Sequence, residues 1–381
     1  MPFSLNELVR PNILKLLPYR CARDDYNGPG YIFLDANENA YGPSLGSDYL
    51  DTQALNRYPD PNQAEVKQLL CELRGGDLTP DNLFIGVGSD EAIDCVLRVF
   101  CSPAQDKILI TPPTYGMYSV SATINDVGVL KIPLDESMEF QPRVPEILKA
   151  LEADRTVKVL FFCSPGNPSS KLVDQKHIKA VLESGWNGIV VVDEAYIDFS
   201  LEGSSVCTWV NSFPNLIVLQ TLSKAFGLAA IRLGAAFTSP TIAKIMNSLK
   251  APYNISSPTS ALAIRALEKG GLATMRTHVA RLNAAREELA KSLLSFEHVK
   301  TIIGGTEANF IMAQIQTAEG KISNELAYKI YEDMAEKRGV VIRFRGHEHG
   351  CEGCLRVTVG TEEENEILLQ MLQKSFNEHS C

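Results

Sequence analysis

No apolar run in this 381-residue chain approaches the roughly 18–20 residues needed to cross a bilayer. The N-terminus, MPFSLNELVRP, lacks the basic start and apolar core of a secretory signal. No block of about five or six like charges occurs. The 36 basic and 46 acidic residues leave a formal charge of −10. A phosphate-backbone binder needs a basic face, so neither nucleic acid nor a membrane is an expected partner. Internal repeats and low-complexity tracts are also missing. The nine cysteines are odd in number and scattered. That argues against a disulfide frame and for free thiols in a reducing compartment, with the cytoplasm as the expected location.

What is present is ordinary for a globular protein: 45% hydrophobic and 22% charged residues. The first thirty residues, ending in NGPG, read as an arm closed by a turn, and YIFLDANENAYGPS as a short strand entering a polar loop. From about residue 62 helices and strands alternate. NQAEVKQLLCELRG has apolar positions at helical spacing. SDEAIDCVLRVF opens with Ser89 as an expected N-cap. LFIGVG, KILITPP, VKVLFFCSP, GIVVVDEAY and NLIVLQ read as apolar strands. Continuous apolar strands between helices predict an α/β fold with a mostly parallel sheet covered by helices on both faces. Beyond Ala251-Pro252 one or two long helices are followed by short strands (ANFIMAQI, GVVIRF, CLRVTVG) and further helices. This predicts a smaller α+β domain. The expected division is an arm over 1–30, a large domain over 55–260, and a small domain from 31–54 and 261–381.

In open α/β sheets, ligands bind beyond the carboxyl ends of the strands. Those ends here are GSDEA (88–92), PPTYG (112–116), SPGNP (164–168), DEAY (193–196) and TLSK (221–224). The GVGSDEA loop offers glycines and then a helix start, which suits a phosphate. Glu91 stands where a dinucleotide fingerprint needs its third glycine, and such turns are structural more often than not. Asp193 ends a buried strand, which is costly unless a cation meets it or it caps a turn. Lys224 also ends a strand, where a snorkelling surface lysine would be the ordinary finding. Alone, Asn167 is a turn residue and Arg232 a surface arginine. Together, an amine, a carboxylate and a phosphate-cradling helix at one sheet edge match the needs of pyridoxal phosphate. The amine holds the aldehyde, the carboxylate keeps the pyridine nitrogen protonated, and hydroxyl and arginine donors take the phosphate.

The order Asn-Pro, DEAY, Ser-Lys and Arg resembles the fold type I pyridoxal-phosphate aminotransferases. Asn167 precedes Asp193 by 26 residues, Lys224 follows it by 31, and Arg232 lies eight further on. LDANEN (34–39), LNRYPDP (55–61), PPTYGMYSVSA, DEAYIDF, TLSKAFGLAAIRLG and CLRVTVGTEEEN (354–365) are similar to the histidinol-phosphate aminotransferase family within it. The resemblance runs from about residue 12 to 375.

It implies that 55–260 is the cofactor-binding domain and that Lys224 holds the cofactor and moves the proton. Asp193 would pair with the ring nitrogen, and Asn167 and Tyr196 with the ring oxygen. Ser89, Asp90, Ser223 and Arg232 would hold the phosphate, and Tyr115 would stack on the ring. Tyr58 would reach the cofactor of a partner subunit, which implies a homodimer. Arg343 and Arg356 would take substrate anions, with Tyr19 and Asn309 also on the substrate side. The implied reaction moves an amino group between histidinol phosphate and 2-oxoglutarate. The alternatives are an aromatic aminotransferase, a threonine-phosphate decarboxylase and, remotely, a non-catalytic regulator.

Two segments depart from the family pattern. Where SPNNPTG is usual, this chain has SPGNPSS; Asn167 is kept, and an altered turn is expected. In RFRGHEHGCEGC, residues His347, His349, Cys351 and Cys354 resemble a zinc cluster. A second CxxC is lacking, so a polar surface loop is expected and no metal.

Overall fold

The computed structural model describes residues 3–25, 32, 34–45 and 54–379. The expected NGPG turn and much of the expected strand at 31–34 lie outside the described residues. Two sheets organise the chain.

The first sheet has seven strands: β1 Leu83–Gly86, β2 Lys107–Ile110, β3 Gly128–Lys131, β4 Val157–Cys163, β5 Ile189–Asp193, β6 Leu216–Thr221 and β7 Gly234–Thr238. Their order is β1-β7-β6-β5-β4-β2-β3. Strands β3, β2, β4, β5 and β6 pair in parallel, and β7 runs antiparallel between β6 and β1.

The apolar strands lack alternation because both faces are covered. Val190 and Val192 face one core, which also takes α2 (Ala64–Arg74), α5 (Val144–Ala153), α6 (Gln175–Leu182) and α8 (Ser257–Leu267). Ile189 and Val191 face the other, with α3 (Gly88–Phe100), α4 (Met117–Ile124) and α7 (Pro240–Leu249). The short α1 (Leu5–Leu8) packs Leu8 into this second core. Each large apolar side chain so buried contributes about 1.5–3 kcal/mol. That is ample to offset a few polar groups buried at the strand ends.

The second sheet is antiparallel, in the order β10-β11-β9-β8: β8 Val299–Ile303, β9 Phe310–Ile315, β10 Arg343–Phe344 and β11 Cys354–Thr358. Leu289 and Leu293 of α9 (Lys269–Leu294), Ile330 and Met334 of α10 (Asn324–Glu336), and Leu372 and Phe376 of α11 (Glu362–His379) cover it. Tyr196, Phe199 and Ala225 pack with Met275, Val279 and Phe310, joining the two halves.

The SPGNPSS turn meets the second half directly. Ser170 adopts φ +54°, the left-handed conformation that suits the family's glycine. Its hydroxyl accepts a hydrogen bond from Ala308 N at 3.0 Å, and Ser169 O accepts one from Gly305 N at 2.8 Å.

The 347–354 segment is not the polar surface loop expected. Cys351 and Cys354 are buried with Leu134, Phe140 and Met312, while His349 pairs with Glu136 at 3.1 Å. All eight cysteines among the described residues are free.

Candidate active site

The carboxyl ends of β1, β4, β5 and β6 open into one cavity of about 660 Å3, closed on its far side by the second sheet. β1 ends at Gly86, and the chain turns at Gly88 (φ +74°) into α3. The helix begins at Gly88 with Val87 as its N-cap. Ser89 therefore lies inside the first turn and is not the cap expected. Its backbone N–H belongs to the unpaired donors of a helix start.

Two glycines permit this geometry. A Cβ on Gly88 would come within 2.6 Å of the Arg232 guanidinium, and one on Gly234 within 2.2 Å of Ser89 N. Gly88 N also donates to Arg232 O at 3.1 Å. Arg232 itself is left-handed (φ +53°). That backbone turns its side chain toward Ser223 Oγ, 3.3 Å away, and Asp90, 3.6 Å away. Ser89, Ser223 and Arg232 thus gather hydrogen-bond donors in one cavity, the requirement of a dianion at a helix N-terminus.

Asp193 closes β5 on the α3–α4 side of the sheet and is 3% exposed. One carboxylate oxygen accepts from Ala195 N at 3.1 Å, so Asp193 does cap a turn. The other accepts from the Tyr118 hydroxyl at 2.7 Å. Among the described residues no cation forms an ion pair with it. Burial pushes its carboxyl up to about 6, against the pull of Tyr118 and Ala195. Glu194 points to the opposite core. There it accepts from Ser205 Oγ (2.6 Å), Val206 N (2.7 Å) and Gln220 Nε2 (2.9 Å) and anchors the turn that carries Tyr196.

The Lys224 amine lies 5.4 Å from the centre of the Tyr196 ring. It opens onto the solvent of the cavity yet is ringed by protein atoms. Loss of hydration and then the charge of Arg356 hold its pKa below the usual lysine value, with Asp193 and Asp90 opposing. Tyr115 lines the wall and donates to Asp90 at 3.1 Å. Asn167, Tyr196, Asp90 and Ser89 line the same cavity.

The second sheet contributes arginines. Arg343 of β10 stands opposite Arg356 of β11, and both line the cavity. The Arg356 guanidinium donates to Asn167 Oδ1, tying the two sheets together across the site. Arg345, absent from the sequence expectations, lines it too and pairs with Glu348 at 2.8 Å. Arg343 and Arg345 are two residues apart, a spacing that could have flagged both.

Three expected residues lie elsewhere. Tyr58 and Tyr19 are 52% and 48% exposed. Tyr58 stacks on Tyr253 (4.5 Å), and the Tyr19 hydroxyl meets that of Tyr253 at 3.3 Å. Asn309 precedes β9 and receives Val359 N on its backbone oxygen. None of the three lines the cavity.

Comparison with known proteins agrees in sequence and in fold. The family model described as aminotransferase class I and II matches residues 30–372. The chain is 52% identical to the histidinol-phosphate aminotransferase of Schizosaccharomyces pombe, with 99% of each chain covered. It is 45% identical to the enzyme of that name from Saccharomyces cerevisiae, covering 99% of this chain and 98% of the relative. Among solved structures, the histidinol-phosphate aminotransferase of Sinorhizobium meliloti in complex with pyridoxal-5'-phosphate superposes with a TM-score of 0.75. It covers 90% of each chain at 19% identity.

Proposed function

The chain belongs to the class I and II aminotransferases, which use pyridoxal phosphate, and on that premise we propose that it moves an amino group between histidinol phosphate and 2-oxoglutarate. In the histidine-forming direction, glutamate donates to imidazole acetol phosphate. The observation that carries this is the meeting, in one cavity, of Lys224, Asp193 and a donor-rich helix start with Arg343 and Arg356 of the second sheet and Arg345 just beyond β10. The residues present fit the cofactor. The cradle at Gly88 and Gly234 has no room for a Cβ, and a buried carboxylate without an ion-pair partner suits a cationic ring nitrogen.

Bound pyridoxal phosphate supplies an electron sink that lets substrate Cα lose its proton. The protein's side chains do the rest. Ser89, Asp90, Ser223 and Arg232 hold the phosphate through N–H and O–H donors. Asp193 would keep the ring nitrogen protonated, Asn167 and Tyr196 would hold the ring oxygen, and Tyr115 would cover the ring. The Lys224 amine carries the proton to and from Cα, helped by a pKa below the usual lysine value. Arg343, Arg345 and Arg356 take the phosphate of one substrate and the carboxylates of the other. Asn309 supports that side from the backbone before β9.

The proposed division has the arm at 1–30, the large domain at 55–260 and the small domain from 31–54 and 261–381, except that α8 stays whole with the large domain, since Ala263 and Leu267 pack in its core. Exposed Tyr58 and Tyr19 suit a homodimer in which Tyr58 completes the partner's site and Tyr19 closes over substrate. Free cysteines suit the cytoplasm. No described helix is long and apolar enough to cross a membrane.

The test uses the purified protein loaded with cofactor. Histidinol phosphate should bleach the visible band of the bound cofactor, and 2-oxoglutarate should restore it. No change on addition would overturn the substrate assignment. Lys224→Ala should abolish the band and lower turnover by at least about 10²–10⁴-fold. A variant that turns over normally would overturn the role given to that amine.

A further inference from the structure

Tyr118 is fully buried, yet its phenol is polar and ends behind Asp193, which lines the cavity. A buried hydroxyl needs a partner, and here the partner is Asp193 Oδ2 at 2.7 Å. The ring is locked by its neighbours. It stacks on Phe161 with centroids 4.6 Å apart and 19° between planes, and it meets Tyr115 edge-on at 5.6 Å. Tyr118 stands in the first turn of α4, one turn beyond the loop that carries Tyr115. Two rigid attachments, the helix and the aromatic stack, therefore aim one O–H at one carboxylate oxygen.

We propose that Tyr118 is the positioning residue for Asp193, fixing the orientation and charge of the carboxylate that meets the cofactor's ring nitrogen. This rests on the pyridoxal phosphate reading of the site. Among the described residues, the Asp193 carboxylate accepts from two donors, the Ala195 amide and the Tyr118 hydroxyl. The amide is fixed by the turn. The phenol is the donor that a single substitution can remove without altering packing. The other groups facing Asp193 are Asp90 from α3, Cys163 from β4, Lys224 after β6, and the phenols of Tyr115 and Tyr196. Asp90 opposes its ionisation and Lys224 favours it. Burial holds the Tyr118, Tyr115 and Tyr196 phenols and the Cys163 thiol well above their usual values, so all four stay neutral near pH 7. A neutral phenol is a donor and cannot compete with Asp193 for charge.

The experiment titrates cofactor-free wild type and Tyr118→Phe with pyridoxal phosphate, read by visible absorbance, from about pH 5 to 9. Phenylalanine keeps the stack on Phe161. The affinity of the variant should fall about tenfold or more at pH 8, as expected for losing a hydrogen bond to a charged group. The acidic midpoint at which affinity is lost should move up by about one pH unit. An unmoved midpoint overturns the proposal even if affinity falls, because a loosened fold would weaken binding at every pH alike. If wild type takes up no pyridoxal phosphate, the cofactor reading fails, and with it the premise. If Tyr118→Phe does not fold, 3-fluorotyrosine placed at position 118 tests the same point. Its phenol is a stronger donor, so the midpoint should move down; a midpoint that stays or rises overturns the proposal.

Discussion

A buried carboxylate at the floor of a cavity is stable only as long as something compensates for its lost water. The Asp193 carboxylate has two hydrogen bonds but, among the described residues, no ion-pair partner, and burial pushes its carboxyl up to about 6. The folded protein therefore keeps that proton up to about pH 6, whereas the unfolded chain releases it near 3.9. Between those values the folded state binds more protons, so stability falls as pH rises. Above the window the deficit is about 3 kcal/mol. Asp193→Asn removes it. Without cofactor, the thermal midpoint of the variant at pH 8 should exceed that of wild type by a few degrees. The gap should close towards pH 4, while affinity for pyridoxal phosphate collapses. A midpoint at pH 8 no higher than wild type would show that Asp193 is not under-compensated. Lys224, Asp193, Asn167 and Arg232 were legible in the sequence because they stand immediately after strands or at family spacing. Tyr118 was not: its hydroxyl partner is 75 residues away, and a tyrosine on a helix reads as core.

At the scale of the elements, α3 and β7 depend closely on each other. Gly234 opens β7 and lets the backbone of Ser89 pass where a side chain would be. Gly234→Ala forces the helix start away from Arg232 and Ser223. Backbone cannot yield as a flexible side chain can, so overpacking of this kind costs about 1–3 kcal/mol. Cofactor retention on dialysis should drop sharply, with the remaining cavity intact. Retention equal to wild type would mean that the helix start is not held by β7. Strands β4, β5 and β6 were readable because burial on both faces leaves an unbroken apolar run. β7, GAAFT, was not, since small residues carry little strand preference. β3 (GVLK), with no residue fully buried, and β8 (VKTII), with only Val299 buried, carry apolar signals too short and interrupted to stand out.

At the scale of the whole molecule, the site is a seam between two sheets. Arg356 reaches Asn167, and Ser169 and Ser170 bind the segment 305–308. The departure at SPGNPSS falls on this seam: Ser170 keeps the backbone of a glycine and adds a hydroxyl for Ala308 N. The seam also divides the chain in time. Every cavity-lining residue assigned to the cofactor lies between Ser89 and Arg232, and the three cavity arginines lie between Arg343 and Arg356. The 120 residues from the end of β7 to the end of β11 take roughly 6–24 s to synthesise at about 5–20 residues per second. During that interval the nascent chain has the residues of the cofactor cradle but not the arginines of the cavity. Loading can therefore precede the ability to react. Ribosomes stalled before Arg343 emerges should carry bound pyridoxal phosphate, detectable by its fluorescence after borohydride reduction. If only full-length chains do so, the cradle is not formed until the second sheet has docked.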